Sequence, residues 1–145
     1  MNELTRTATT ILIIDDEPSA LQEVAGALQA TDYRLQIAAS PEAAIECVKR
    51  ATPDLIISDI DLGGASGLDL AQQLREGAGV DEVPVIFLSG AQIPDVVRRS
   101  RSAGGVYFLR KPFDPEVLLE LVDKALWMPH LLRRRLQPGC AGTSA

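Results

Sequence analysis

Aromatic residues make up only 4% of this chain, and histidine occurs once, at His130. So few flat rings argue against a stacking surface for single-stranded nucleic acid. Cysteine is nearly absent. Cys47 lies in a helical pattern and Cys140 in a Gly-rich tail, which makes no disulfide framework, so both are expected as free thiols in a reducing compartment. The opening stretch MNELTRTATT lacks the apolar core of a signal peptide, and no apolar run approaches the roughly 20 residues of a membrane span. A cytoplasmic protein without a membrane partner is therefore expected. Positive charge is also in deficit: the net charge is -6, which disfavours a general polyanion binder. Residues 128–145 carry Arg133, Arg134 and Arg135 and no acid, so the preceding part holds 11 basic against 20 acidic side chains, a balance of -9. An acidic body suits a metal cation or a basic partner.

What is present is a core-forming composition, 46% hydrophobic over 145 residues, enough for one domain. Short apolar runs read as buried strands at Thr10–Ile14, Leu55–Ser58 and Val83–Leu88, with weaker candidates at Leu35–Ala38 and Val106–Leu109. Between them, apolar residues recur at helical spacing. The stripes are Leu21, Val24, Ala25 and Leu28; Ala44, Ile45 and Val48; Gly67, Leu70, Ala71 and Leu74; Ile93, Val96, Val97 and Ser100; and Leu118, Leu121, Val122 and Ala125. Strand and helix alternate five times, which implies an α/β fold: a parallel five-stranded sheet with helices on both faces. The acidic pattern ends near Met128, so the expected organisation is one domain over 9–127 and a short basic tail over 128–145.

Open parallel sheets bind ligands beyond the carboxyl ends of their strands. Asp15, Asp16 and Glu17 follow the first strand, Asp59 and then Asp61 the third, Ser89 and Gly90 the fourth, and Lys111 and Pro112 the fifth. Carboxylates brought together repel: at ~4 Å and an effective dielectric of ~20, a pair costs on the order of 4 kcal/mol. Either their pKa values rise or a hard cation enters. An all-oxygen site with few protein ligands suits Mg²⁺ shared with a phosphate, for which Lys111 is a second positive charge and Ser89 a donor. Asp59, at a central strand tip, is the plausible nucleophile toward phosphorus.

With these residues on the page, the chain resembles the receiver domain of two-component response regulators, a CheY-like, flavodoxin-like group. The resemblance rests on the pair Asp15-Asp16, Asp59 closing LIISD, Ser89 closing VIFLS, Lys111-Pro112-Phe113, and Gly67 eight residues after Asp59. It implies a (βα)5 fold with strand order 2-1-3-4-5 and a cis peptide before Pro112. It implies Asp59 as phosphoacceptor, with Mg²⁺ held by Asp15, Asp16, Asp59 and the backbone carbonyl of Asp61. Lys111 would pair with the phosphoryl group, and Ser89 and Phe108 would be the switch pair. The implied partners are a histidine kinase or phosphotransfer protein and a downstream protein reading the face of the fourth helix, fifth strand and fifth helix; a homodimer is compatible with this. With no DNA-binding segment apparent, a stand-alone phosphoacceptor switch is expected rather than an enzyme.

Several features depart from the family's pattern. An acid, Asp61, stands two places after Asp59, and Gly63-Gly64 replaces a common proline, which suggests a looser loop. Phe108 lacks the hydroxyl of a tyrosine, while Tyr107 is expected to face the other way. Leu119, Leu126 and Trp127 lie off the last helix's main stripe, and Arg98, Arg99 and Arg101 read as a solvated face. Two alternatives stay open. The run IISDIDL also resembles the DxD motif of haloacid-dehalogenase-type phosphatases, with Asp59 as nucleophile and Asp61 as acid/base. The other is a phosphorylation-independent adaptor.

Overall fold

The computed structural model describes residues 9–77, 82–90 and 105–127. Its strands are β1 (Thr10–Ile14), β2 (Arg34–Ala38), β3 (Leu55–Asp59), β4 (Val85–Ser89) and β5 (Gly105–Arg110). Its helices are α1 (Pro18–Ala27), α2 (Pro41–Arg50), α3 (Gly67–Gly77) and α4 (Pro115–Trp127). The strands form one parallel sheet in the order β2-β1-β3-β4-β5, as the sequence led us to expect. The helix expected around Ile93–Ser100, the arginines at 98, 99 and 101, and the tail over 128–145 lie outside the described residues.

The central strands are short β-branched runs buried on both sides, so alternate residues feed two cores. Leu12, Ile14, Ile56, Val85 and Phe87 point to one face, where Ala44 and Val48 of α2 and Leu70, Ala71 and Leu74 of α3 cover them. Ile11, Ile13, Leu55, Ile57, Ile86 and Leu88 point to the other, against Leu21 and Val24 of α1 and Leu118, Val122 and Ala125 of α4. The helix starts follow local chemistry. In α2, Pro41 needs no N–H partner in the first turn, and the Ser40 hydroxyl accepts from the Ala43 N–H at 3.1 Å. In α3, the Ser66 hydroxyl accepts from the Asp69 N–H at 3.2 Å.

A register shift between Val85 and Ile86 advances β5 by one residue, so Phe108 pairs with Phe87. Phe108 therefore packs on the α2/α3 side and Tyr107 on the α1/α4 side, as alternation required. Strand β4 starts two residues later than expected, after Pro84, which has no N–H to give the ladder. Cys47 is buried in the α2 core. Leu119 and Leu126 are partly buried against the second core, whereas the Trp127 ring is 76% exposed. No helix among the described residues is long and apolar enough to cross a membrane.

Candidate phosphate and metal site

Strands β1, β3 and β5 are each extended by one further backbone hydrogen bond, which fixes the residue that follows. The Asp15 N–H donates to the Ala38 carbonyl at 3.2 Å, the Ile60 N–H to the Leu88 carbonyl at 2.9 Å, and the Lys111 N–H to the Ser89 carbonyl at 2.8 Å. Asp15, Asp59, Ser89 and Lys111 are thus carried to one edge by the ladder itself, in backbone positions that leave little freedom. Asp15, Asp59 and Ser89 are buried, while Asp16 is exposed. A cis peptide joins Lys111 to Pro112, as expected.

The Lys111 ammonium bridges two carboxylates from different strands. Its Nζ lies 3.1 Å from Asp15 Oδ2 and 3.1 Å from Asp59 Oδ2. Asp15 Oδ1 also accepts the Glu17 N–H at 3.1 Å, so both oxygens of this carboxylate are used. One carboxylate oxygen from each of Asp15, Asp16 and Asp59 lies within 4.8 Å of the others. Three hard oxygen donors around one point, open to solvent through Asp16, match the chemistry of a small divalent cation that keeps part of its water shell. Burial raises the Asp59 carboxyl most; the Lys111 hydrogen bond pulls it back, Asp15 raises it again, and the net position is above the usual carboxylate range. For Lys111, burial pulls the ammonium down, but the two carboxylates outweigh it and hold it above its ordinary value.

The cleft above these groups, about 740 Å³, is also lined by Asp61, Ser66 and Ser89. That is room for a hydrated cation beside a phosphoryl group, since a water occupies roughly 30 Å³. The segment joining β3 to α3 closes one side. Asp61 and Ser66 form an antiparallel bridge, held by the Gly67 N–H donating to the Ile60 carbonyl at 2.7 Å and the Leu62 N–H to the Ala65 carbonyl at 2.9 Å. This pattern leaves the Asp61 carbonyl out of the bridge. Its N–H favours the ionised form of the Asp59 carboxylate. Its side chain turns back on its own loop, Asp61 Oδ1 accepting the Gly63 N–H at 3.2 Å, which gives no support to an acid/base role for Asp61 toward a substrate. Gly63 and Gly64 have φ of 65° and 101°. Positive φ at both central positions is the signature of a tight primed hairpin turn. The two glycines therefore build a closed turn, not the looser loop that the missing proline suggested.

All the expected site residues except Phe108 thus meet at one sheet edge; Phe108 is partly buried against the core behind it, paired in register with Phe87. Sequence reasoning missed the turn at Gly63-Gly64, although paired glycines between short apolar segments are a recognised hairpin signal.

Comparison with known proteins agrees with this geometry. The family model for the response regulator receiver domain matches residues 11–123. Response regulator Rre1 from Synechocystis is 32% identical over 81% of this chain and 51% of its own length. The phosphate regulon transcriptional regulatory protein PhoB from Pseudomonas aeruginosa is 31% identical over 90% of this chain and 54% of its own. The chain spans about half the length of these two relatives. Among solved structures, Vibrio cholerae chemotaxis protein CheY4 superposes with a TM-score of 0.76 at 28% identity, covering 81% of this chain and 98% of that one.

Proposed function

This chain belongs to the response regulator receiver domain family, and from that premise we propose that it is a phosphorylation switch in which Asp59 accepts the phosphoryl group. Receiver domains of two-component systems bind Mg²⁺ through an aspartate cluster, and here Asp15, Asp16, Asp59 and the Asp61 carbonyl would hold the ion. When bound, Mg²⁺ supplies charge neutralisation for phosphoryl oxygens.

The chain's own residues do the rest. A carboxylate oxygen of Asp59 attacks the phosphorus of a phosphohistidine on a kinase or phosphotransfer protein. The new O–P bond forms as the P–N bond breaks, and the departing imidazole nitrogen keeps the electron pair and takes a proton. Lys111, poised 3.1 Å from Asp59 Oδ2, exchanges that carboxylate for a phosphoryl oxygen. The Asp61 N–H favours the ionised, attacking form of Asp59. The Ser89 hydroxyl, at the next strand's tip, moves toward the phosphoryl group, and Phe108 follows into the space released. The charge at Asp59 thereby biases the face that includes β5 and α4, where a downstream protein, or a second copy of the chain, would bind. We read the output as a protein–protein contact of the receiver itself, in the cytoplasm.

The observation that carries this reading is the Lys111 bridge between Asp15 and Asp59 beside three mutually close carboxylate oxygens. The test is incorporation from acetyl phosphate, followed by intact mass, with Mg²⁺ or with chelator. Wild type should gain one phosphoryl group in the presence of Mg²⁺ only, and Asp59→Asn none while keeping its circular-dichroism spectrum. Equal labelling of both would reject Asp59. No labelling of wild type by acetyl phosphate or by a kinase would favour the phosphorylation-independent adaptor.

A further inference from the structure

Lys111 holds Asp15 and Asp59, but among the described residues no hydrogen bond or ion pair holds the carboxylate of Asp16. The backbone of Gly63 lies beside it. A Cβ placed on Gly63 would meet Asp16 Oδ2 at 2.5 Å, Cγ at 3.3 Å and Cβ at 3.9 Å; these are its three nearest neighbours. The Asp16 side chain thus occupies the space that any other residue at 63 would fill. Gly63 is held there by the primed turn, with φ of 65°, and by the Asp61 carboxylate on its N–H at 3.2 Å. Proline, with φ fixed near -65°, could not take this position.

We propose that Gly63 is a positioning residue for the metal site: the hairpin turn presents a bare Cα on which the Asp16 carboxylate rests within reach of Asp15 and Asp59. The inference rests on the reading of these three carboxylates as Mg²⁺ ligands. A side chain at 63 displaces Asp16 from the set, and Mg²⁺ tolerates little departure from octahedral geometry. Disturbing a group that orients a ligand typically lowers affinity by about 10–100-fold.

Gly64 provides the control. It shares the turn and the positive φ of 101°, yet a Cβ there meets nothing within 4 Å. The experiment is calorimetric titration of the full chain with MgCl₂, plus thermal unfolding in chelator. Gly63→Ala should bind Mg²⁺ at least about 10-fold more weakly than wild type, and Gly64→Ala within about twofold of it, although both melt lower because each strains a positive-φ position. Gly63→Asn guards against misfolding, since asparagine tolerates this backbone but still carries a Cβ. It should keep its melting temperature closer to wild type and still lose Mg²⁺ affinity. Gly63 variants that bind Mg²⁺ as Gly64→Ala does would overturn the positioning role and leave the metal site standing. A wild type that binds no Mg²⁺ would remove the metal reading itself, and the role of Gly63 with it.

Discussion

Replacing Lys111 with alanine removes the ammonium that joins Asp15 to Asp59. The two carboxylates, with side chains 1% and 10% exposed, then face each other without that cation. A hydrogen bond to a charged group contributes about 1.5–3 kcal/mol, and stripping one partner from a buried pair costs about 3–5 kcal/mol. The Lys111 side chain is 21% exposed, so water replaces part of what is lost. The expected destabilisation is about 2–4 kcal/mol in the absence of metal, or roughly 6–12 °C in melting temperature for a chain of this size. The fold itself should survive, because domains of this kind carry about 5–15 kcal/mol.

This loss has a pH signature. The Asp59 carboxyl already sits above its ordinary range, through burial first, against the pull of Lys111. A carboxyl raised in the folded state keeps a proton that the unfolded chain has given up. Its contribution to stability therefore falls as pH rises through that window, and is neutral below it. Without Lys111 the window extends upward. Lys111, held above its ordinary value despite burial, stays charged across this range, and its own contribution would fade only at strongly alkaline pH. Urea unfolding in chelator should thus show a large difference between Lys111→Ala and wild type at about pH 7.5 and a small one at about pH 4.5. Equal stability at the higher pH, or the same deficit at both, would refute the reasoning.

Three further outcomes follow from the same coordinates. In Gly67→Ala the new Cβ would overlap the Asp59 carbonyl oxygen, a backbone atom that cannot turn aside. A loss of about 3 kcal/mol or more, read by urea unfolding, and reduced phosphoryl incorporation are expected, because the shift falls on Asp59 itself. Mg²⁺ at about 100 times its dissociation constant should stabilise wild type by about 2.7 kcal/mol, chelator should reverse this, and Asp16→Ala should blunt it, all measurable by thermal unfolding. The Tyr33 hydroxyl donates to Asp123 Oδ1 at 3.1 Å, and burial together with that carboxylate pushes the phenol up to about 12. The folded chain then keeps a proton the unfolded chain loses, so stability should decline as pH rises from about 10 toward 12. Tyr33→Phe should flatten that decline and delete the latest-ionising phenol in an ultraviolet titration; persistence of that component would assign it elsewhere.

Much of this protein is written locally. Thr10–Ile14 and Leu55–Asp59 are strands because β-branched runs too short for a helix, flanked by acids and turns, have few other ways to be buried. Five alternations of such runs with helical stripes leave a parallel sheet as the economical arrangement, and a parallel sheet gathers Asp15, Asp59, Ser89 and Lys111 at one edge. The face taken by Phe108 was half legible. Alternation separates it from Tyr107, but the register shift beside Val85 decides which of the two turns toward the α2/α3 core.

Other features belong to the assembled molecule. Lys111 reaches carboxylates 96 and 52 residues away and holds both with one ammonium. Tyr33 finds Asp123 across 90 residues of chain. The pair Gly63-Gly64 reads locally as missing rigidity, and only the fold shows it as a closed turn under Asp16. The division has a physical cause: periodicity and turn chemistry act between near neighbours in the chain, whereas a contact between distant segments exists only once packing has set how closely two loops approach.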